Sequence, residues 1–322
     1  MKGFLSLKKK KTTKTKKAPG LLRHLTLKPF VIALLVINFA VSVVLVCLFF
    51  LIISNLTSSI KVNKMKASAF PFYLKLGQEL NVSSKSLIVY EPEGRVTVMG
   101  KNENFRFSPA STAKIMSAVI ALEYYPLNQV LVASDLKSVE GSRMGLFEGE
   151  QITVENLLYG MMLPSGNDAA YVIAKNYPGG IPNFVTKMNE KVKELKLKNT
   201  EFFDPAGYSD ENYTTAIDLA KIAAYAMTNP EFKKIVSTRQ TKVYDVNRVI
   251  PHDLNNLNKL LSEQNVNGVK TGFTEEAGGV LVTSVDNQGK NYIVVVLKSK
   301  DRFYDTEELI QKVVKSINLI SY

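Results

Sequence analysis

The chain predicts an α+β fold, with an antiparallel sheet built from both ends of one domain, a helical subdomain inserted between them, and a membrane-spanning helix ahead. Three observations carry this. Strand-like runs occur at 86–90 and 95–99 and again at 280–285 and 292–297. Apolar residues between 153 and 228 recur at helical spacing, and 24 uncharged residues run from Phe30 to Ile53. With 322 residues, 46 % hydrophobic and 22 % charged, the chain has the composition of a folded protein.

Charge is concentrated at the start. Residues 1–30 contain ten Lys and Arg and no acid, so +10 of the formal net charge of +12 lies there. The apolar run that follows would span about 36 Å as a helix against a hydrocarbon core of about 30 Å. A basic flank on its N-terminal side predicts residues 1–29 as a cytoplasmic tail, 30–53 as a transmembrane helix in the lipid bilayer, and the remainder outside the cytoplasm. The tail therefore reads as a topology signal, and no nucleic-acid partner is expected. A cleaved signal peptide is the rival, with Ala67-Ser68-Ala69 as a small-residue cleavage site. That site is 14 residues past a run already too long for a signal core, which favours an uncleaved anchor.

Residues 54–70 are polar and read as a stalk, and 71–322 as the extracytoplasmic domain. Within it, Pro71 to Val82 has the pattern of a short amphipathic helix. Two strands at 86–90 and 95–99 are joined through Glu91-Pro92-Glu93-Gly94. Helices are expected at 153–163, 167–176, 182–196 and 214–228, separated by Pro- and Gly-containing breaks. Asp286-Asn287-Gln288-Gly289 is a hairpin turn by composition, and 306–317 closes the chain as a helix.

Cysteine and histidine usage removes several chemistries. The one Cys, Cys47, sits in the apolar run, so disulfides and a catalytic thiol are not expected. Of two His, His24 is in the tail and His252 is in the loop-like Ile250-Pro251-His252-Asp253, where it reads as a surface or packing residue. No Cys/His metal cluster can be assembled, and no cofactor is expected.

A different nucleophile is offered by Ser108-Pro109-Ala110-Ser111-Thr112-Ala113-Lys114. Ser108 suits an N-cap and Pro109 the first helical position, and Ile115, Met116, Val119, Ile120 and Leu122 continue an apolar helix face. Residues three apart share a face, so Ser111 Oγ and Lys114 Nζ can meet at the positive end of the helix. As a base, Lys114 must be neutral, which requires burial or a neighbouring cation. Ser-X-X-Lys alone is weak, since it also occurs at Ser6, Ser58 and Ser134. Two further stretches strengthen it. Ser165-Gly166-Asn167 lies on a turn between two helices, and Lys270-Thr271-Gly272 lies just ahead of the hairpin.

In the order Ser-X-X-Lys, Ser-X-Asn, Lys-Thr-Gly, the three form the signature of serine penicillin-interacting enzymes. Ser108 to Met116, Gly149-Glu150 with Glu155 to Gly160, Leu163 to Ala170, Asp218 to Met227 and Lys270 to Gly278 resemble the D-alanyl-D-alanine carboxypeptidase family, the low-molecular-mass penicillin-binding proteins. The resemblance runs from about Ser86 to Ile317. It implies a β-lactamase/transpeptidase-like fold, peptidoglycan stem peptides as substrate and β-lactams as acylating inhibitors. It also implies Ser111 as nucleophile, Lys114 as general base kept neutral in part by Lys270, and Ser165 as proton relay. Asn167 would hold the substrate amide and orient Lys114, and the Ser111 and Phe273 backbone N–H groups would form an oxyanion hole. Lys270 and Thr271 would bind the terminal carboxylate, with Gly272 leaving room for substrate. Arg302 would be either a second cation or a solvated surface residue.

Two departures stand out. Many relatives carry a β-rich domain and a C-terminal anchor, whereas this chain ends at Tyr322 and its N-terminal span would serve as anchor. Asp204-Pro205-Ala206-Gly207 also differs from the Asn-Pro form expected. The alternatives are an endopeptidase that cuts cross-links with the same residues, a class A β-lactamase using Glu201, and a non-enzymatic wall-binding protein.

Overall fold

The computed structural model describes residues 29–59, 73–74, 80–263 and 265–318. Two compact units result, 1–65 and 66–322. In the first, α1 (Pro29–Ser59) carries no charged residue, and its 21 residues Val31–Leu51 have a mean hydropathy of 3.0. It is the one helix among the described residues long and apolar enough to cross a membrane. The basic tail and most of the stalk lie outside the described residues.

In the second unit, β1 (Tyr73–Leu74) is followed by β2 (Ser86–Glu91) and β3 (Val96–Lys101). A 3₁₀ turn, Ala110–Ala113, leads into α2 (Lys114–Tyr124). Strands β4 (Val130–Val132) and β5 (Gln151–Thr153) pair with each other ahead of α3 (Val154–Met162), α4 (Asn167–Lys175), α5 (Gly180–Glu194), α6 (Ala216–Ala226) and α7 (Pro230–Ser237). A small hairpin of β6 (Gln240–Tyr244) and β7 (Pro251–Asn255) precedes β8 (Val266–Thr274), β9 (Gly278–Asn287) and β10 (Lys290–Ser299). The described chain closes with α8 (Arg302–Lys312) and β11 (Ile317–Asn318).

The main sheet has the order β3-β2-β10-β9-β8 and is antiparallel throughout. Its pairing of β2 with β10 sets Tyr90 opposite Ile293 and joins the two ends of the domain, as the sequence predicts. Every residue of β2 is buried because both faces of the sheet are covered. Ile88, Val282, Ile293 and Val295 pack toward the helical subdomain, while Leu87, Val89, Leu281 and Val294 pack toward Leu309 and Ile310 of α8. The β9–β10 turn has Gln288 and Gly289 both at positive φ, the geometry of a two-residue hairpin turn.

Several boundaries differ from expectation. The helix expected over 71–82 lies largely outside the described residues, and Tyr73–Leu74 is a strand pairing with Ile317–Asn318. The last helix starts at Arg302, because Asp301 caps it by accepting from the Phe303 and Tyr304 amides. His252 lies in β7, not a loop, and is buried with Nε2 2.7 Å from Glu150 Oε1. A 3₁₀ turn from Ala110, which includes Ser111, leads into α2, with Pro109 in its N-cap position and no side-chain cap.

Candidate active site

Pro109 knits the turn that carries Ser111. Its carbonyl accepts from the Thr112 amide at 3.2 Å and the Thr112 hydroxyl at 2.6 Å. Ala110 takes a positive φ of 45°, a strained geometry for a residue with a Cβ, and Ser111 follows it at the edge of the site. One turn on, Lys114 is completely buried, and its Nζ lies 3.0 Å from Ser111 Oγ, 2.6 Å from Asn167 Oδ1 and 2.7 Å from the Ala206 carbonyl.

Two of these three partners can only accept. A neutral amine has two N–H groups and one lone pair, so its N–H groups satisfy Asn167 and Ala206 and its lone pair faces the Ser111 hydroxyl. Burial pushes the Lys114 pKa down to about 7, while the carboxylates of Asp204 and Asp168 pull the other way. Burial is thus the cause that lowers it, and the repulsion expected from Lys270 is not among the contributions acting on Lys114. Lys270, itself buried on β8, is held well below the ordinary lysine range by burial and by the charges of Lys114 and Arg302. Its Nζ donates to the Thr271 carbonyl at 3.1 Å.

Asn167 opens α4, and its side chain is fixed at both ends. Nδ2 donates to the Glu140 carbonyl at 2.6 Å while Oδ1 receives Lys114. Ser165 is buried in the same turn at a positive φ of 66°, but is not among the partners of Lys114. Asp168 holds the neighbouring loop by accepting from the Met144, Gly145 and Leu146 amides.

Edge strand β8 passes along the turn that carries Ser111. A Cβ at Gly272 would lie 3.1 Å from the Pro109 carbonyl oxygen and 3.2 Å from the Ser111 amide nitrogen. Phe273 follows with an exposed side chain, and Thr271 is buried. Arg302 is half-buried, and its Nη1 donates to the Gly272 carbonyl at 3.1 Å, so the solvated reading does not hold.

Some site groups escaped the sequence. The Ala206 carbonyl and the Glu140 carbonyl are backbone atoms with no side-chain signature. Asp204 organises the first of them by accepting from the Ala206, Tyr208 and Ser209 amides and from Asn212 Nδ2. This accounts for Asp204-Pro205-Ala206-Gly207 as the floor beneath Lys114. Gly207, at φ +73°, was the available signal, since a Cβ there would meet the Ala110 oxygen at 1.9 Å. Glu201 forms a bridge with Tyr213, and its Oε2 accepts from the Tyr213 hydroxyl at 2.8 Å, apart from the partners of Lys114.

Residues 74–301 match the model of the D-alanyl-D-alanine carboxypeptidase family. The chain belongs to that family. Its members are serine-type peptidases, which places the chain among the hydrolases. It is 34 % identical over 230 residues to the D-alanyl-D-alanine carboxypeptidase DacF of Bacillus subtilis, covering 69 % of this chain and 59 % of that protein. Identity to the D-alanyl-D-alanine endopeptidase of Pseudomonas aeruginosa is 32 % over 229 residues, covering 69 % and 73 % respectively. The crystal structure of the Streptomyces K15 DD-transpeptidase superposes with a TM-score of 0.69 at 31 % identity, covering 73 % of this chain and 98 % of that one. The fold is therefore that of the DD-transpeptidases and penicillin-binding proteins.

Proposed function

We propose that the chain is a membrane-anchored serine D-alanyl-D-alanine carboxypeptidase that removes the terminal D-Ala of peptidoglycan stem peptides through an acyl-enzyme on Ser111. The observation that carries this reading is the fully buried Lys114, 3.0 Å from Ser111 Oγ, with a pKa of about 7. Such an amine is partly neutral at physiological pH and needs no histidine.

In this mechanism Ser111 Oγ attacks the carbonyl carbon between the two D-alanines, and its proton passes to Lys114 Nζ. The carbonyl oxygen takes the negative charge and is received by the Ser111 and Phe273 amides, where one donor is typically worth about 2.7 to 4 kcal/mol. Collapse breaks the peptide bond, and the departing nitrogen takes a proton by way of Ser165. Asn167 holds Lys114 and the substrate amide. Lys270, Thr271 and Arg302 take the terminal carboxylate, and Gly272 leaves space for the substrate backbone beside β8. Water then hydrolyses the ester and frees Ser111. A β-lactam would acylate the same hydroxyl.

Residues 30–53 serve as the anchor in this reading, with residues 1–29 in the cytoplasm, 54–70 as a stalk and 71–322 outside. The helix Val31–Leu51 and the +10 charge ahead of it support that orientation. An endopeptidase acting on cross-links is the second reading, favoured by the name of the Pseudomonas relative.

Mass spectrometry after incubation with benzylpenicillin tests the mechanism. A covalent adduct is expected on the peptide containing Ser111 and is expected to be lost in Ser111→Ala. An unaltered enzyme that forms no adduct would sink it. Release of free D-Ala from a pentapeptide, with cross-linked dimers left intact, separates carboxypeptidase from endopeptidase.

A further inference from the structure

The two fixed acceptors of Lys114 come from different loops. Asn167 Oδ1 is held through its Nδ2 by the backbone carbonyl of Glu140, at 2.6 Å. The Ala206 carbonyl belongs to a turn organised by Asp204, whose Oδ1 also accepts from the Tyr208 amide at 3.2 Å. Glu140 and Tyr208 are 68 residues apart, yet the Tyr208 hydroxyl donates to Glu140 Oε2 at 2.6 Å. The hydrogen bonds thereby close a ring: Lys114, Asn167, Glu140, Tyr208, Asp204, Ala206 and back to Lys114.

We propose that the Tyr208–Glu140 bond is a strap that sets the separation of the two carbonyl acceptors of Lys114, making both residues positioning residues for acylation of Ser111. This rests on the reading of Ser111 and Lys114 as nucleophile and base. Each strap residue reaches the ring twice, through its backbone to the acceptor it supports and through its side chain to the other loop. Nor is there slack beneath the strap. The Tyr208 ring lies 3.6 Å from where a Cβ on Gly141 would sit, and that Cβ would be 2.7 Å from Asn167 Nδ2. Gly141 has a φ of +80°, which lets the backbone press against Asn167 with the aromatic ring over it.

The charge environment defines what the strap can change. Asp204 and Asp168 face Lys114 with negative charge, and Lys270 lies across the site with its own amine. Removing the Tyr208 hydroxyl alters none of these charges. It lets the loops part and water reach Lys114, which weakens the burial that keeps the amine neutral.

The test is the acylation rate of the full chain by benzylpenicillin as a function of pH. Tyr208→Phe and Glu140→Ala are each expected to slow acylation about 3- to 10-fold near neutral pH, the scale of one hydrogen bond. Their acidic limb should move to higher pH, so that most of the rate returns in alkaline buffer. Glu140→Gln, which can still accept from the tyrosine hydroxyl, should recover most of what Glu140→Ala loses. The double variant Tyr208→Phe/Glu140→Ala should be no slower than either single one. A wild-type rate and limb in both single variants, or a loss of the same size at every pH, overturns the strap while leaving the nucleophile and base in place. Failure of the unaltered enzyme to be acylated overturns both.

Discussion

Arg302 Nη1 donates to the Gly272 carbonyl at 3.1 Å, so the first residue of α8 is tied to the edge strand beside Ser111. That bond holds a guanidinium on the strand that carries Lys270 and Thr271, the residues proposed to take the substrate carboxylate. A terminal carboxylate is the group such donors would recognise. Amidating the terminal D-Ala should therefore cost on the order of 1.5 to 3 kcal/mol, about 10- to 150-fold in kcat/KM. Thr271→Val and Arg302→Ala should weaken turnover of the free acid much more than of the amide. Equal turnover of acid and amide by the unmodified enzyme would remove carboxylate recognition as the role of these residues.

The pKa of about 7 at Lys114 predicts the pH response of acylation. In the proposed mechanism Lys114 acts in its neutral form, so the rate should fall as pH drops through about 7 and level off above it. Stopped-flow measurement of penicillin acylation checks this. A rate that stays flat down to pH 5 would exclude a titrating amine as the base.

Gly207→Ala should be damaging well beyond one methyl group. The new Cβ would collide with the Ala110 carbonyl oxygen, and a φ of +73° strains any L side chain. A loss of about 1 to 3 kcal/mol from backbone strain is expected before the clash is counted. Urea unfolding should show the drop in stability, and acylation should slow as the floor beneath Lys114 shifts. Wild-type behaviour in both measurements would mean that this turn does not brace the base.

The tail and apolar helix predict a single orientation. A reporter active only outside the cytoplasm should work when fused after Tyr322 and fail when fused before Met1. Recovery of a soluble protein trimmed to begin near Phe70 would replace the anchor with a cleaved leader.

How much of this was legible depends on whether a feature lives in side chains or in backbone. Ser111, Lys114 and Asn167 could be read from the sequence because their spacing and residue types are the chemistry. The partners that complete the base site, the carbonyls of Ala206 and Glu140, could come from any residue and left only Gly207 and Gly141 as traces. Within the sheet, β2, β9 and β10 were visible as apolar β-branched runs. Strand β8 was not, because Val266-Asn-Gly-Val-Lys-Thr-Gly-Phe-Thr274 places Lys270 and Thr271 in buried positions where a strand pattern shows Val or Ile. Pro251 disguised β7 in the same way: a residue without an N–H suits a sheet edge and reads as a loop.

The pairing of β2 with β10 sets a timetable for the protein's own maturation. Tyr90 and Ile293 are adjacent in the sheet but some two hundred residues apart in the chain, so closing it carries a large loop entropy and belongs to the slow class of folding contacts. Ser111 and Lys114 are made early, whereas Lys270, Thr271 and Arg302 arrive only with the final strands and helix. In the proposed mechanism a partly synthesised chain therefore holds Ser111 and Lys114 without the groups assigned to the substrate carboxylate.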